Sequence, residues 1–469
     1  MTLWTDGRDP RMLVFLPPGM QARFYLQGLL AGAKRLGIET VPIELQALWA
    51  RTRAGESLNP AGVRQARDWI GGLVKHRGIT HTLGYATGAA MELGVGMADD
   101  RPRTYWHGRG VTNVQLWTDH PNWYESGSML HPTAAALLEG PEFMHWLKSA
   151  SAAEEAASIL GWTDVRGLAM AEEPGLLEPP AAASDPDFDA VVICGSIRPI
   201  RPELESLLGD DQVETRQVLE ATREAATAGW DKWLAELDAP SQLDLPGFGR
   251  AAIAMRCKQP AATVWEITNR PAFSAFEGEI RWLRSEPRRW YDAIRRIQRL
   301  AIGLRSFWPA WLARRAKVGV FGADASALGI EQTAEQKAWV SYARQSAVYR
   351  RGACGLNINQ PHDEAGVTHK PFQIVASGVP CVHGATAGLG ELFETGTGPG
   401  RELCAFESGP ELLKAVRTAA ADASARERIA AAARDRFDRE HRWEHRLEAI
   451  LRPATPTAEV VTSRSRTAA

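Results

Sequence analysis

Apolar residues fall into two patterns along this chain. Short unbroken runs bounded by Pro, Gly or charge read as strands buried on both faces, and longer segments with apolar positions three and four apart read as amphipathic helices. Met12–Leu16, between Arg11 and Pro17-Pro18-Gly19, is the first run. A helix from about Ala22 to Leu36, closed by Gly37, and a strand Glu39–Leu45 complete a βαβ unit. Val63–Arg77 predicts a second helix, and Ile79–Tyr85, Val111–Trp117, Phe143–Lys148 and Val165–Met170 predict further strands. Ser151 with Glu154 three residues on is a capping-box pattern for a helix ending at Leu160. The stretch 179–186 (P-P-A-A-A-S-D-P) has linker composition and marks a domain boundary.

The pattern then restarts with strand Asp189–Gly195. Val213–Arg314 is mostly helical and rich in Arg, Trp and Ala. It is longer than an ordinary crossover, so it predicts a helical subdomain between two strands. Strand Lys317–Gly322, helix Gln336–Arg350 and strand Cys354–Asn359 lead to the densest stretch, Thr368–Glu391. There a basic lead (His369, Lys370) enters an apolar helical turn that stops at Gly378, followed by strand Val379–Val382 and a glycine-spaced loop. Strand Leu403–Phe406, helix Gly409–Ala420 and helices over Ser424–Leu451 follow, with Ser424 and Glu427 as a second capping-box pattern. The tail Pro453–Ala469 is polar and expected to be disordered.

Composition narrows the class. A chain of 469 residues implies two to three domains with ample core. A net charge of -2 and a pI near 6.6 give no support to a nucleic-acid binder. The five cysteines are odd in number and lack C-x-x-C spacing, so they read as buried thiols of a reducing compartment. Met1–Asp9 is polar and acidic, unlike a signal peptide, and no apolar run is long enough to span a bilayer. A soluble, cytoplasmic protein is expected. Of 17 tryptophans, Trp106, Trp117, Trp123 and Trp146 flank expected cleft ends, where core packing outweighs sugar stacking as a reading. Those of the helical segment are expected to be exposed, as at an oligomer interface, with oligomeric state open.

Candidate chemistry gathers at strand ends. Unpaired N–H groups and a positive dipole at the helix start by His369 suit a phosphate, to which Lys370 adds a point charge. The tail Thr118-Asp119-His120-Pro121-Asn122-Trp123 sets a carboxylate beside an imidazole. Asp119 or His120 is a candidate base, or else a turn cap and a structural hydrogen bond. His107 is a second candidate, and Glu172-Glu173 follows another strand end. The loop Pro17-Pro18-Gly19-Met20 lies where open α/β sheets bind ligands, without a G-x-G-x-x-G fingerprint. Gly195 permits close backbone approach beside Ser196, and Arg198 or Arg201 reads equally as a phosphate partner or a surface residue. Asn357 and Asn359 alternate with apolar neighbours and face the cleft end. The arginines of Arg281–Arg305 form a solvated face, or one that docks an acceptor or a membrane surface.

The tract Lys370-Pro371-Phe372-Gln373, followed by Ala376-Ser377-Gly378-Val379-Pro380, resembles the donor-binding domain of group-1 GT-B glycosyltransferases, in the spore-maturation-protein-like branch. Gly388-Leu389-Gly390-Glu391-Leu392-Phe393 and Glu440-His441-Arg442-Trp443-Glu444-His445-Arg446 carry the likeness on, from about Tyr342 to Leu451. Two features depart from it. Gln373 stands where many members hold the nucleotide ribose with glutamate, and Ala365 occupies the upstream position of a paired-glutamate motif.

The resemblance implies an α/β GT-B fold of two Rossmann-like domains facing a central cleft. These are an acceptor-side domain over 1–182 and a donor domain over 188–434 with a helical insert at about 213–314. A helix over 435–452 crosses back and the tail over 453–469 is disordered. It implies transfer of a sugar from a nucleotide-sugar donor to an unknown acceptor, with no cofactor and no obligatory metal. Gly195, Ser196, Arg198, Asn359, Thr368, His369, Lys370, Gln373 and Glu391 would bind the donor, and the loop bearing Asp363 and Glu364 would hang over its sugar. A nucleotide-sugar epimerase or hydrolase, with Asp119, Asp363 or Glu364 near the sugar, and a non-catalytic binding module stay open.

Overall fold

The computed structural model describes residues 9–54, 57–86, 93–98, 101–121, 136–179, 185–361, 366–396 and 401–452. Two parallel sheets organise it. The first has six strands: β1 (Arg11–Leu16), β2 (Glu39–Glu44), β3 (His81–Tyr85), β4 (Thr112–Leu116), β5 (Phe143–Leu147) and β6 (Val165–Gly167), in the order β6-β5-β4-β3-β1-β2. The second has five: β7 (Phe188–Ile193), β8 (Val318–Phe321), β9 (Gly352–Asn357), β10 (Cys381–Gly384) and β11 (Cys404–Phe406), in the order β8-β7-β9-β10-β11. In each sheet the second strand in chain order lies on one side of the first and the third on the other. This doubly wound arrangement leaves a crevice beside the first strand. The strands are apolar because helices cover both faces: β8 and β9 are buried along their whole length.

The two halves share one core. Leu26 and Leu29, from the helix Met20–Arg35, pack in the same cluster as Ile193, Phe372 and the final helix Trp443–Leu451. That helix returns across the first sheet and lies on Met20–Arg35 at close range. A Cβ on Gly28 would meet Trp443 Nε1 at 2.3 Å, and one on Gly32 would meet the Glu444 backbone N at 2.8 Å. Arg446 fastens the return by donating to Ala169 O and to Glu440 O, each at 2.7 Å. Two Rossmann-like sheets joined in this way form the GT-B layout.

The segment between β7 and β8 holds a run of helices from Thr215–Ala221 to Leu304–Ala313. Of their tryptophans, Trp230, Trp233, Trp265, Trp290, Trp308 and Trp311 are buried and Trp282 is half-buried, which corrects the expectation of exposed ones. Trp230, Trp233, Trp265 and Trp290 pack in one cluster with the helix Ala150–Leu160 of the first half, where Trp290 Nε1 donates to Glu155 Oε1 at 3.0 Å, while Trp308 and Trp311 pack with the strands of the second sheet. The arginines of Arg281–Arg305 do not form one solvated face. Pro287 starts a new helix there, and Arg284 stacks 4.1 Å from the Trp265 ring. Trp106, Trp117 and Trp146 are core residues.

Several boundaries differ for local reasons. Ser149 caps the helix Ala150–Leu160 and Asp422 caps Ala423–Glu440, so neither Ser151 nor Ser424 opens its helix. The segment Gln336–Arg350 breaks into Ala334–Lys337 and Tyr342–Tyr349, the second capped by Ser341. A hairpin, Val95–Ala98 with Arg101–Thr104, was not expected. All five cysteines are buried, unlinked thiols. No described helix is long and apolar enough to cross a membrane. Trp123, Asp363, Glu364, Ala365 and the tail over 453–469 lie outside the described residues, as does most of the linker stretch.

Candidate functional site

The carboxyl ends of both sheets open into one cleft of about 290 Å³. The first half contributes Gln21 and Tyr25 from the helix after β1, Thr118 and Asp119 after β4, and Met170 beyond β6. The second half contributes Cys194 and Gly195 after β7, Gly322 after β8, Asn357 and Asn359 at the end of β9, and Thr368, His369 and Lys370 before β10. Tyr342 and Gln345 enter from the helix Tyr342–Tyr349, Trp339 from just before it, and Arg305 from the insert. This is where doubly wound sheets bind ligands, because the connections splay apart beside the first strand.

Two cations converge here. Lys370 Nζ donates to Gln345 Oε1 at 2.7 Å and makes no ion pair among the described residues. Burial and the nearby charge of Arg305 push its ammonium down to about 7. Arg305 itself makes no ion pair or hydrogen bond among the described residues. An anion in this cleft would offset the desolvation of Lys370 and the repulsion between the two cations. Gly195 offers its backbone to the same space: a Cβ built there meets no atom within 4 Å. The helix Lys370–Ala376 is only seven residues long. A helix so short has a weak dipole, so the side-chain cations dominate the phosphate site expected at its start.

Behind Lys370 lies a neutral network. The His369 ring is 3.0 Å from Tyr25 Oη through Nδ1, and its Nε2 is 3.8 Å from Glu172 Oε2. Burial, reinforced by Lys370, pushes His369 well below the usual imidazole range, so the ring is uncharged at neutral pH. Glu172 is 1% exposed, and burial pushes its carboxyl up to about 8. Its Oε1 accepts the Glu173 N–H at 2.8 Å, while Oε2 is buried without a hydrogen-bond partner. Gln21 Nε2 donates to Tyr25 Oη at 3.0 Å, extending the network to the rim.

Asp119, Gly195, Asn359, Thr368, His369 and Lys370 therefore meet in one cleft. The other expected residues do not. His120 is buried away from the cleft, its Nε2 3.9 Å from Glu155 and its ring 5.1 Å from Tyr291, where the insert packs on the first half. Gln373 is fully buried behind the cleft. It donates to Tyr342 O at 3.0 Å and leaves Oε1 without a partner, so it does not reach a ribose in this arrangement. Glu391 is exposed on the short helix Leu389–Leu392 and does not line the cleft. Ser196 and Arg198 line a neighbouring groove, and His107 lies 3.5 Å from Glu142 outside the cleft.

Sequence reasoning placed Arg305 only in an arginine face that is solvated or docks an acceptor, and it missed Tyr25, Tyr342, Gln345, Glu172 as a buried acid, and Trp339. Arg305 sits in an arginine-rich segment where no local signal separates it from its neighbours. Trp339 lines the cleft and is 53% exposed. Among the described residues no group of three or more His, Cys, Asp or Glu could hold a metal ion.

Residues 288–452 match a family model described as glycosyl transferase-like. This region holds Arg305, Trp339, Gln345 and Lys370. No curated protein matches the chain. Among solved structures, a sucrose-phosphate synthase from Thermosynechococcus elongatus is 10% identical with a TM-score of 0.42, covering 94% of this chain and 96% of that one. A glycosyltransferase from Rickettsia africae is 10% identical with a TM-score of 0.40, covering 94% and 97%. MurG from Acinetobacter baumannii is 8% identical with a TM-score of 0.31, covering 94% and 99%. At such identities and TM-scores, the chemistry of this chain has to be read from its own residues.

Proposed function

We propose that this protein transfers a sugar from a nucleotide-sugar donor to an acceptor nucleophile. The observation that carries this reading is the pair Lys370 and Arg305, a desolvated ammonium and a half-buried guanidinium without an ion-pair partner among the described residues, converging on one cleft. The match of residues 288–452 to a glycosyl transferase-like model supports it. The motif order over 370–380 supports the spore-maturation-protein-like branch.

In this reading the donor diphosphate lies against Lys370, Arg305 and the Gly195 backbone. As the bond from the anomeric carbon to the diphosphate oxygen breaks, its electron pair goes to that oxygen. The two cations stabilise the growing charge in a site partly shielded from water. On this reading no metal is obligatory. The acceptor nucleophile forms the new bond to the anomeric carbon, and Asp119, across the cleft, takes its proton. Trp339 gives a stacking face for the nucleobase or the sugar.

The test is a thermal-shift screen of wild type and Lys370→Ala against UDP, GDP, dTDP and ADP, repeated with the matching nucleotide sugars. One nucleotide should raise the wild-type melting temperature and leave Lys370→Ala unchanged, because a ligand specific to the folded state stabilises it. No shift with any nucleotide at millimolar concentration would sink the reading. Free sugar or an epimer as product would turn it to a hydrolase or epimerase. Donor binding with no nucleotide released would turn it to a binding module.

A further inference from the structure

Beyond Arg305 the insert builds a groove against the loop that follows β7. Arg198 and Arg201 come from that loop, and Arg295, Arg296 and Arg299 from the end of the helix Pro287–Gln298 and the turn after it. The open chamber is about 800 Å³. A neck of about 150 Å³ leads from it to the cleft, and Arg305 and Gln360 line both neck and cleft.

The charge in this groove is not balanced. Asp292 pairs with Arg295 and Glu203 with Arg201. Arg198, Arg296, Arg299 and Arg305 make no ion pair with any described carboxylate. Burial and the neighbouring charges of Arg299 and Arg295 disfavour the Arg296 cation, and Asp292 and Glu236 offset this only in part. Two buried polar atoms are also orphaned: Arg296 Nε and, beside the neck, Oε1 of Gln298, a residue 4% exposed. The orphaned N–H of half-buried Arg296 is costly until an acceptor such as an anion meets it, whereas Gln298 Oε1 needs a donor such as a hydroxyl group. The charge exceeds that of one carboxylate, and planar guanidinium forks match phosphate oxygens in pairs.

We propose that this groove is a second anion site, which holds a phosphate monoester or diphosphate carried by the acceptor, with the rest of the acceptor running through the neck toward Arg305. Its assignment to the acceptor rests on the transfer reading; the anion site does not. The groove is concave and joined to the cleft by shared residues, which suits a small phosphorylated molecule.

The experiment is calorimetric titration of the full chain with inorganic pyrophosphate, using wild type, the double variant Arg198→Gln/Arg299→Gln, and Lys370→Ala. Arg198 and Arg299 are exposed and their side chains make no hydrogen bond among the described residues, so the double variant should keep the wild-type melting temperature. Wild type should show two pyrophosphate sites. The double variant should weaken one of them by roughly tenfold or more and keep the other, and Lys370→Ala should do the reverse. An unchanged titration in the double variant overturns the proposal. So does loss of all binding in Lys370→Ala, which would mean a single site in the cleft. A retained groove site with no nucleotide binding sinks the transfer reading and leaves the anion site standing. To locate the anion's source, hexose phosphates are added to donor-loaded enzyme. Faster nucleotide release, lost in the double variant, supports the acceptor. Pyrophosphate binding with no stimulation by any phosphorylated sugar overturns that assignment. Binding of anionic-lipid vesicles with no pyrophosphate heat overturns the proposal in favour of a membrane.

Discussion

The two walls of the cleft differ in charge. The wall from the first sheet carries the carboxylate Asp119 and the neutral groups Gln21, Tyr25 and Thr118. The wall from the second sheet and its insert carries Lys370 and Arg305 beside the open backbone of Gly195. A reaction that expels an anion needs cations on the side where charge grows and a proton acceptor on the side where the nucleophile arrives. On the proposed transfer reading, the contrast teaches that function is divided by domain. Neither sheet alone holds both parts, and the return helix Trp443–Leu451 is one of the elements that keeps them together.

The contrast breaks most severely if the cationic wall is removed. Arg305→Ala/Lys370→Ala should abolish the nucleotide-induced thermal shift, since two charge-assisted contacts together are worth about 3–6 kcal/mol. Asp119→Asn should leave that shift intact and lower turnover by roughly 10²–10⁴-fold, the usual contribution of a general base. If Asp119→Asn instead lost the shift, the division between walls would be wrong.

A third experiment sharpens the electrostatics. The Lys370 ammonium, pushed down to about 7, is mostly neutral at pH 8 in the empty cleft. A bound diphosphate restores the charge, so binding at pH 8 should take up a proton. Calorimetry in buffers of different ionisation heat would measure it. Lys370→Arg should bind with no uptake, because arginine keeps its proton.

Glu172 gives a smaller, opposite signature. Its folded pKa, about 8, lies above the ordinary 4.5, so the native state holds the proton more tightly. The stability this supplies is complete below about pH 4.5 and lost as pH rises to about 8. Glu172→Gln should flatten that decline in denaturant melts across this window. The smallest effect on donor binding is expected from Gln373→Met. It should leave the nucleotide affinity unchanged and cost about 1 kcal/mol of stability through the lost bond to Tyr342 O. A large loss of affinity would restore Gln373 to the donor site.

The elements were legible because burial imposes a period on the sequence. The run M-L-V-F-L, short and bounded by Arg11 and Pro17, reads as a strand covered on both faces, and Gly37 reads as the end of a helix. Lys370 was legible too, because its helical turn is short, local and marked by Gly378, whose φ of +78° is that of a helix stop. Gln373 misled because sequence spacing does not say which way a side chain points. Three residues after Lys370, it faces the interior of a helix buried from Pro371 to Ala376. His120 misled because its environment comes from Glu155 and Tyr291, distant in sequence.

The sequence by itself determined the alternation of strand and helix, the long insert and the basic residue before the Gly378 stop, since each depends on neighbours along the chain. Only the tertiary structure decided which arginine reaches the cleft, which tryptophans are buried and which acid loses its charge. Those properties depend on desolvation and on charges brought close by folding. Arg305 and Glu172 are ordinary residues until the insert and the first sheet enclose them.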